Sequence, residues 1–318
     1  MPKVSIITPC FNGERFLQRM LASVVRQTLT DWALVVVDDG STDRSSEIVE
    51  AAAAHDARIQ LVRQENHGVS HARNTGCARA PASEYLLFLD ADDMLDADML
   101  EVMTAYLDAH PAVGLAYCAF RVIDADDRPV STDASPDTLP ARYVPTRFGY
   151  RQLADATAET PLESLMSNHA AYPSVCVMRR STFERTARWD TSFQISEDKD
   201  LVLQLALVSP VHFVPRKLVG YRRHGENVTA SASVYPSLRR LQEKWWGRTD
   251  LTPAQQQAVR RAIRFDRRVA FCRHLEGAAH CVRDGSWSHA VLLALHGGKS
   301  FLNWSRLAAP HWPLLYGR

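Results

Sequence analysis

Two periods alternate along the first 110 residues. The runs Val4–Thr8, Ala33–Val37, Ile59–Val62 and Tyr85–Leu89 are short and almost wholly apolar, as strands buried on both faces of a parallel sheet are. Between them, apolar positions fall at helix spacing. Glu14–Gln27 carries Phe16, Leu17, Met20, Leu21, Val24 and Val25 on one stripe. Further helices are predicted from a Ser41-Thr42-Asp43 cap to about His55, over Ser70–Ala80 and over Asp96–His110. This rhythm predicts right-handed βαβ units: an α/β fold on an open, mostly parallel twisted sheet flanked by helices.

After His110 the rhythm breaks. Val113–Ile123 predicts a longer strand, followed by a turn at Asp124–Pro129. Residues 131–170 are rich in Pro, Thr, Ser and Asp with weak periodicity, the composition of loops that line a cleft. Ala171–Met178 returns to strand, Asp198–Val208 to helix, and Val211–Val214 and Leu218–Arg222 to two more strands. From Ser237 onward the pattern is helical.

Charge adds a boundary that periodicity does not show. Residues 236–318 hold 14 Lys and Arg against 5 Asp and Glu, whereas residues 1–235 hold 23 against 31. Five of the seven tryptophans also lie in the basic part. The expected organisation is therefore a catalytic-size unit, 1–235, with halves 1–110 and 111–235, and a basic, Trp-rich helical C-terminal extension, 236–318.

Composition narrows the function classes. At 46% hydrophobic and 23% charged residues, with no apolar run of membrane-spanning length, the chain reads as a globular protein. Met1-Pro2-Lys3 leads directly into a strand without a signal-peptide pattern, so a cytoplasmic protein is expected. The six cysteines show no CxxC pairing and read as reduced, not as a zinc site or disulfide framework. No GxGxxG follows the first strand, which argues against a dinucleotide oxidoreductase. The acidic first part and the lack of a recognised motif argue against nucleic acid as a partner.

Ligands of an open parallel sheet bind beyond the carboxyl ends of its strands. Those ends read Thr8–Gly13, Asp38-Asp39-Gly40-Ser41, Asn66-His67-Gly68 and Asp90-Ala91-Asp92-Asp93, so five aspartates share one rim. Asp builds turns and helix caps readily, and either cluster alone is explained that way. Two clusters on one rim, with no Lys or Arg immediately beside them, would repel unless a cation compensates. Hard oxygen donors suit Mg²⁺ or Mn²⁺, whose shell phosphate oxygens commonly complete. The pattern points to a metal–diphosphate site.

The runs VSIITPCFNGERFLQRMLASVVRQT, VVVDDGSTDRS, QENHGVSHARNTG and YLLFLDADD, then TSFQISEDKDL and YRRHGENVT, resemble the inverting family 2 glycosyltransferases of the GT-A fold, in order, over about residues 3–230. The resemblance implies transfer of a sugar from a nucleotide-sugar donor, UDP-linked in the family's usual case, to the hydroxyl of a glycan or lipid-linked glycan in cell-surface glycan synthesis. It implies that Pro9 and Phe11 lie against the base, that Asp39 accepts hydrogen bonds from it, and that Asn66 and Arg73 line the nucleotide and pyrophosphate pocket. Asp90 would touch ribose or metal, Asp92 would ligate the metal, and His224 would approach the metal or diphosphate from the far side. Asp198 would be the general base and Glu197 its helper. On the residues alone, Glu197 and Asp198 read first as acids at a helix start, where they favour the dipole; the resemblance reverses that reading. Lys199, where the family commonly has an aromatic, and Arg188-Trp189-Asp190, where Gly-Phe-Asp is frequent, depart from the pattern and would alter the acceptor side.

Two rivals share parts of this reading. A sugar-1-phosphate nucleotidyltransferase would carry a Gly-rich basic loop after the first strand, where this chain has Pro9–Glu14 and no cation. A non-catalytic nucleotide-sugar-binding subunit would have no need of the Glu-Asp motif. In the tail, Arg260, Arg261, Arg264, Arg267 and Arg268 accompany an apolar stripe of Val259, Ile263, Phe271 and Leu275. That pattern fits a helix packed on the first unit, peripheral attachment to an anionic membrane, or self-association.

Overall fold

Strand β2 (Trp32–Asp39) shows why the first half folds as it does. Its side chains alternate between two apolar layers: Leu34 and Val36 join the main core, while Val35 and Val37 meet Ala72 of helix α3 (Val69–Arg79) on the other face. A strand sandwiched this way is apolar along its length, here Trp32–Val37, before the two aspartates at its carboxyl end. Helix α3 lies so close to the sheet that a Cβ at Gly76 would stand 2.4 Å from Ile7 Cγ2. The computed structural model describes residues 1–130, 143–145, 150–152, 158–167, 171–225 and 234–267.

The first half runs β1 (Val4–Cys10), α1 (Glu14–Val25), β2, α2 (Ser45–His55), β3 (Ile59–Gln64), α3, β4 (Tyr85–Phe88), β5 (Met94–Leu95) and α4 (Met99–Ala109). The second half adds β6 (Leu115–Ile123), the hairpin β7 (Tyr143–Pro145) and β8 (Tyr150–Gln152), α5 (Leu162–Ser167), a 3₁₀ turn at Pro173–Val175, β9 (Cys176–Arg179), α6 (Arg180–Phe183), α7 (Glu197–Val208) and β10 (Val211–Arg222). Eight strands form one sheet in the order β3-β2-β1-β4-β9-β6-β10-β5. Strands β3, β2, β1 and β4 are parallel, as are β6 and β10. Strand β9 is inserted antiparallel between β4 and β6, and β5 pairs antiparallel with β10, so the sheet is mixed.

Two readings of the sequence change. Val211–Val214 and Leu218–Arg222 are one strand, β10, paired with β6 on both sides of a register shift. Pro215 lacks an N–H and sits exposed with Arg216 at that irregularity, so the strand bulges there and continues. The expected Ser41–Asp43 cap is not formed: α2 starts at Ser45 with Arg44 at its N-cap and no side-chain cap bond there, while Asp43 Oδ1 accepts from Ser45 N (3.0 Å) and Oγ (2.6 Å).

The basic tail does not begin a separate core. Helix α8 (Val234–Trp246) and the helix over 253–267, α9, bury Leu241, Trp245, Val259, Ala262 and Ile263 in the main cluster. Their polar groups also turn inward. Asp200 of α7, fully buried, accepts from Trp245 Nε1, Lys244 Nζ (both 2.8 Å) and Gln204 Nε2 (2.7 Å). Lys244 also donates to Asp190 (2.8 Å). Arg260 and Arg264 pack over Trp246, and Arg261 pairs with Glu163 at 3.5 Å. Val259 and Ile263 thus pack on the first unit, while Phe271, Leu275 and Arg268 lie outside the described residues. Among the described residues, no helix is long and apolar enough to cross a membrane, and the four cysteines Cys10, Cys77, Cys118 and Cys176 are buried and free.

Lys199 points into this interface. It is buried, and loss of hydration pulls its pKa down although Asp266 opposes it. Burial likewise pushes Asp266 up to about 7. A carboxyl whose folded pKa exceeds its unfolded value contributes stability that is complete below the unfolded value and is lost as pH rises through the folded one. Asp266→Asn is therefore expected to remove part of the decline in melting temperature between about pH 4 and pH 7. An unchanged pH profile would refute this assignment.

Candidate active site

The rim is built from loops pinned to one another. After β1, Asn12 takes a left-handed conformation (φ 51°), donates its N–H to Ser41 Oγ (2.9 Å) and accepts from Thr42 N through Oδ1 (2.9 Å). Gly13 N donates to Ser45 Oγ (2.9 Å), Glu14 N to Asp43 Oδ2 (3.0 Å), and Arg44 N to Glu14 Oε2 (3.1 Å). The turns after β1 and β2 thus form one unit. Pro9 is buried in β1, while Phe11 projects from the loop, 54% exposed.

Asp39 anchors the third loop. Its carboxylate accepts from Gln64 Nε2 (2.6 Å), His67 N (3.0 Å) and Gly68 N (2.8 Å), which holds the exposed Asn66–Gly68 turn beside Gly40. At Gly40 the left-handed backbone (φ 79°) and Asn66 N, 2.9 Å from where a Cβ would stand, both require glycine. Asp39 is 3% exposed, so the side chain expected to meet the base is also the one that shapes the loop around it.

Arg73 lies beneath the rim, not along it. It is 3% exposed and its guanidinium packs over Trp189, 4.3 Å from the ring centre. One end donates to Asp90 Oδ1 (2.7 Å) and the other to Glu197 Oε1 (2.9 Å). Asn74, one residue on, clasps the backbone of Trp189 through both its amide atoms. One guanidinium thus ties the end of β4 to the start of α7. In the Arg188-Trp189-Asp190 run, Trp189 carries Arg73 and Asp190 receives Lys244.

The acids of this centre feel one another. Burial, with Asp92 and Asp198 nearby, raises the pKa of Asp90 despite Arg73. Burial and its Asp92 and Asp90 neighbours hold Asp93 well above the usual carboxylate range. Glu197 is raised to about 7 by burial and then by Asp198, with Arg73 opposing. Asp198, half-buried, accepts from Lys199 N (2.6 Å) and lines a small recess with Pro173, Trp189 and Leu201. Ser196 before it is left-handed (φ 71°), turning the chain sharply into α7.

The end of β10 closes the site. His224 Nε2 lies 3.0 Å from Asp92 Oδ2, and its ring packs on Phe16 at 4.6 Å. Arg222, fully buried, donates from its backbone N to Asp93 (2.9 Å) and from Nε to Asp92 O (2.7 Å). Ser174 Oγ accepts from Asp90 N (3.1 Å). These two residues fix the Asp90–Asp93 turn, yet sequence reading did not single them out. Arg222 sat in the quoted YRRHGENVT run, but an arginine that serves main chain has no spacing signature.

Asp92 and His224 thus meet, and Asp90, two residues before Asp92, is joined to Glu197 through Arg73 and feels the charge of Asp198. Among the described residues, no three His, Cys, Asp or Glu side chains are already grouped to hold an ion. The donor set still suits Mg²⁺ or Mn²⁺, which take few protein ligands and phosphate oxygens, and a cation would offset the burial and the neighbouring charges that raise Asp90 and Asp93.

Residues 5–186 match the family model for Glycosyl transferase family 2. The chain belongs to this family. It is 32% identical over 203 residues to the uncharacterized glycosyltransferase EpsJ of Bacillus subtilis, an alignment covering 62% of this chain and 54% of that one. The chain spans about half or less of the length of the first curated relatives it matches. The structure of S. aureus TarS 1-349 in complex with UDP-GlcNAc superposes with a TM-score of 0.64 at 17% identity, covering 95% of this chain and 92% of that one. The mannosyltransferase PcManGT from Pyrobaculum calidifontis, in complex with GDP-Man and Mn²⁺, gives 0.57 at 17%, covering 98% and 77%. Both likenesses establish the GT-A fold of this glycosyltransferase.

Proposed function

We propose that this glycosyltransferase transfers a sugar with inversion from a UDP-linked donor to a hydroxyl of a glycan acceptor, with Asp198 as general base. The observation that carries the reading is the Arg73 bridge: the carboxylates of the donor rim and the start of α7 are held by one buried guanidinium. A single displacement needs leaving group and base at fixed positions on opposite sides of the reacting carbon. Phe11 and Pro9 would flank the base, with Asp39 and Asn66 beside it. Asp92, Asp90 and His224 would hold Mg²⁺ or Mn²⁺, which supplies positive charge to the departing diphosphate. The acceptor oxygen bonds to the anomeric carbon as the carbon–oxygen bond to the diphosphate breaks. The hydroxyl proton passes to Asp198, and the bonding electrons leave with the nucleoside diphosphate. Arg73 acts by fixing Asp90 and Glu197, not by touching phosphate. The UDP-GlcNAc bound by TarS and the Mn²⁺ bound by PcManGT support the donor and metal classes.

The test is thermal unfolding of the full chain with UDP, with GDP and with neither, each with Mn²⁺ or chelator. UDP and metal at a hundredfold excess over Kd should stabilise the chain by about 2.7 kcal/mol. Chelation or Asp92→Ala should remove most of that gain. Equal stabilisation with and without metal would rule out the metal assignment, and no response to any nucleotide would rule out the donor reading.

A further inference from the structure

Three aromatic side chains between the two carboxylate groups are not used by the mechanism above. Tyr172 and Tyr221 are stacked, with ring centres 5.2 Å apart and planes 16° from parallel. Phe120 meets both edge-on, at 5.4 and 5.5 Å. All three are half-buried, whereas their strand neighbours Ala119, Gly220 and Arg222 are buried. Phe120 lies two residues before Val122, the partner of Tyr221 in the β6–β10 register, so Phe120 and Tyr221 share one face of the sheet.

Backbone connections place the cluster. Ala171 and Pro173, on either side of Tyr172, line the recess that holds Asp198, and Ser174 accepts from Asp90 N. Tyr221 precedes Arg222, which binds the main chain of Asp92, and Gly220 pairs with Met94. The two tyrosines therefore stand between the donor rim and the base. The charge of Asp198 helps to raise Tyr172, after burial, and the charges of the Asp90–Asp93 turn do the same for Tyr221.

We propose that Phe120, Tyr172 and Tyr221 form the acceptor platform, taking a pyranose ring whose C–H face lies against the aromatic surface while one hydroxyl is presented to Asp198. Aromatic side chains with few fixed polar groups are the usual lining of small-ligand sites. An aromatic face bearing hydroxyls at its edge suits a ring with one apolar face and a polar perimeter. The assignment rests on Asp198 being the base, and it makes the acceptor a carbohydrate instead of a peptide or a lipid hydroxyl.

The test uses the 318-residue chain and a panel of methyl hexopyranosides, with ring contact read by saturation-transfer NMR. It is run with UDP and Mn²⁺ and again without nucleotide, so that the platform is read separately from the donor site. At least one glycoside should show ring-proton contact with the unaltered chain. Tyr172→Leu and Phe120→Leu should weaken that contact at least tenfold, Tyr172→Phe should preserve it, and all three should keep the stabilisation by UDP. Absence of ring contact from every glycoside on the unaltered chain overturns the platform, as does undiminished contact in both leucine variants. Melting temperatures of the variants close to that of the unaltered chain exclude unfolding as the cause of a loss.

Discussion

Asp198→Asn is expected to lower sugar transfer by a factor of about 10²–10⁴, the usual contribution of a positioned base. The amide keeps the size of the side chain and can still accept from Lys199 N through its oxygen, a contact of 2.6 Å in the unaltered chain. What it loses is the capacity to take the acceptor's proton. Binding of UDP, measured by thermal shift, should stay as it was, since the donor rim connects to α7 through Glu197 and not through Asp198. Glu197→Gln is the informative companion. Glu197 holds Arg73 and is raised to about 7, so its neutral amide mimics a form already populated near neutrality, and its loss of transfer should be far smaller. Transfer by Asp198→Asn at the rate of the unaltered chain would falsify the mechanism.

The second large effect lies outside the donor and acceptor sites. Trp245→Ala removes a fully buried indole from the main core and deprives Asp200 of a hydrogen bond. The cavity alone is worth about 3–5 kcal/mol, and an acceptor left unsatisfied in the interior adds about 1–3 kcal/mol. That total approaches the whole stability of many domains. Equilibrium denaturation should show a much lower midpoint, while Trp245→Phe, which fills most of the volume, should show mainly the hydrogen-bond loss. A Trp245→Ala midpoint equal to that of the unaltered chain would remove the basis for treating α8 as part of the catalytic fold.

The sequence was most readable where local pattern and tertiary role coincide. The alternation of apolar runs and helical stripes located β1 to β4 and their helices within a few residues, because β1, β2 and β4 are buried along nearly their whole length; it missed the two-residue strand β5 and did not show that β3, at the sheet edge, is half-exposed. It did not reveal that β9 enters antiparallel between β4 and β6, since strand order depends on pairing between distant segments. Val211–Val214 and Leu218–Arg222 read as two strands because the partner strand that carries β10 past Pro215 is not visible in the sequence. The site shows the same division. Aspartates at strand ends marked the rim, and His224 was found beside Asp92. The inward turn of Arg73 was not legible, because an arginine reads the same whether it meets a phosphate or two carboxylates. The composition change near residue 236 does not mark the end of the core, because Trp245 and Ile263 on its far side belong to the same cluster.

The stitched turns after β1 and β2 bear on how fast the enzyme can work. Asn12, Ser41, Asp43 and Glu14 hold each other, and Thr42 and Arg44, through bonds from main-chain N–H groups to side-chain oxygens, all within the protein. A rim assembled in advance loses little conformational freedom on capture of the nucleotide. Encounter should then proceed at a rate set by diffusion and orientation, without a slow ordering phase, and single-exponential association over a wide range of nucleotide concentration would be its kinetic signature.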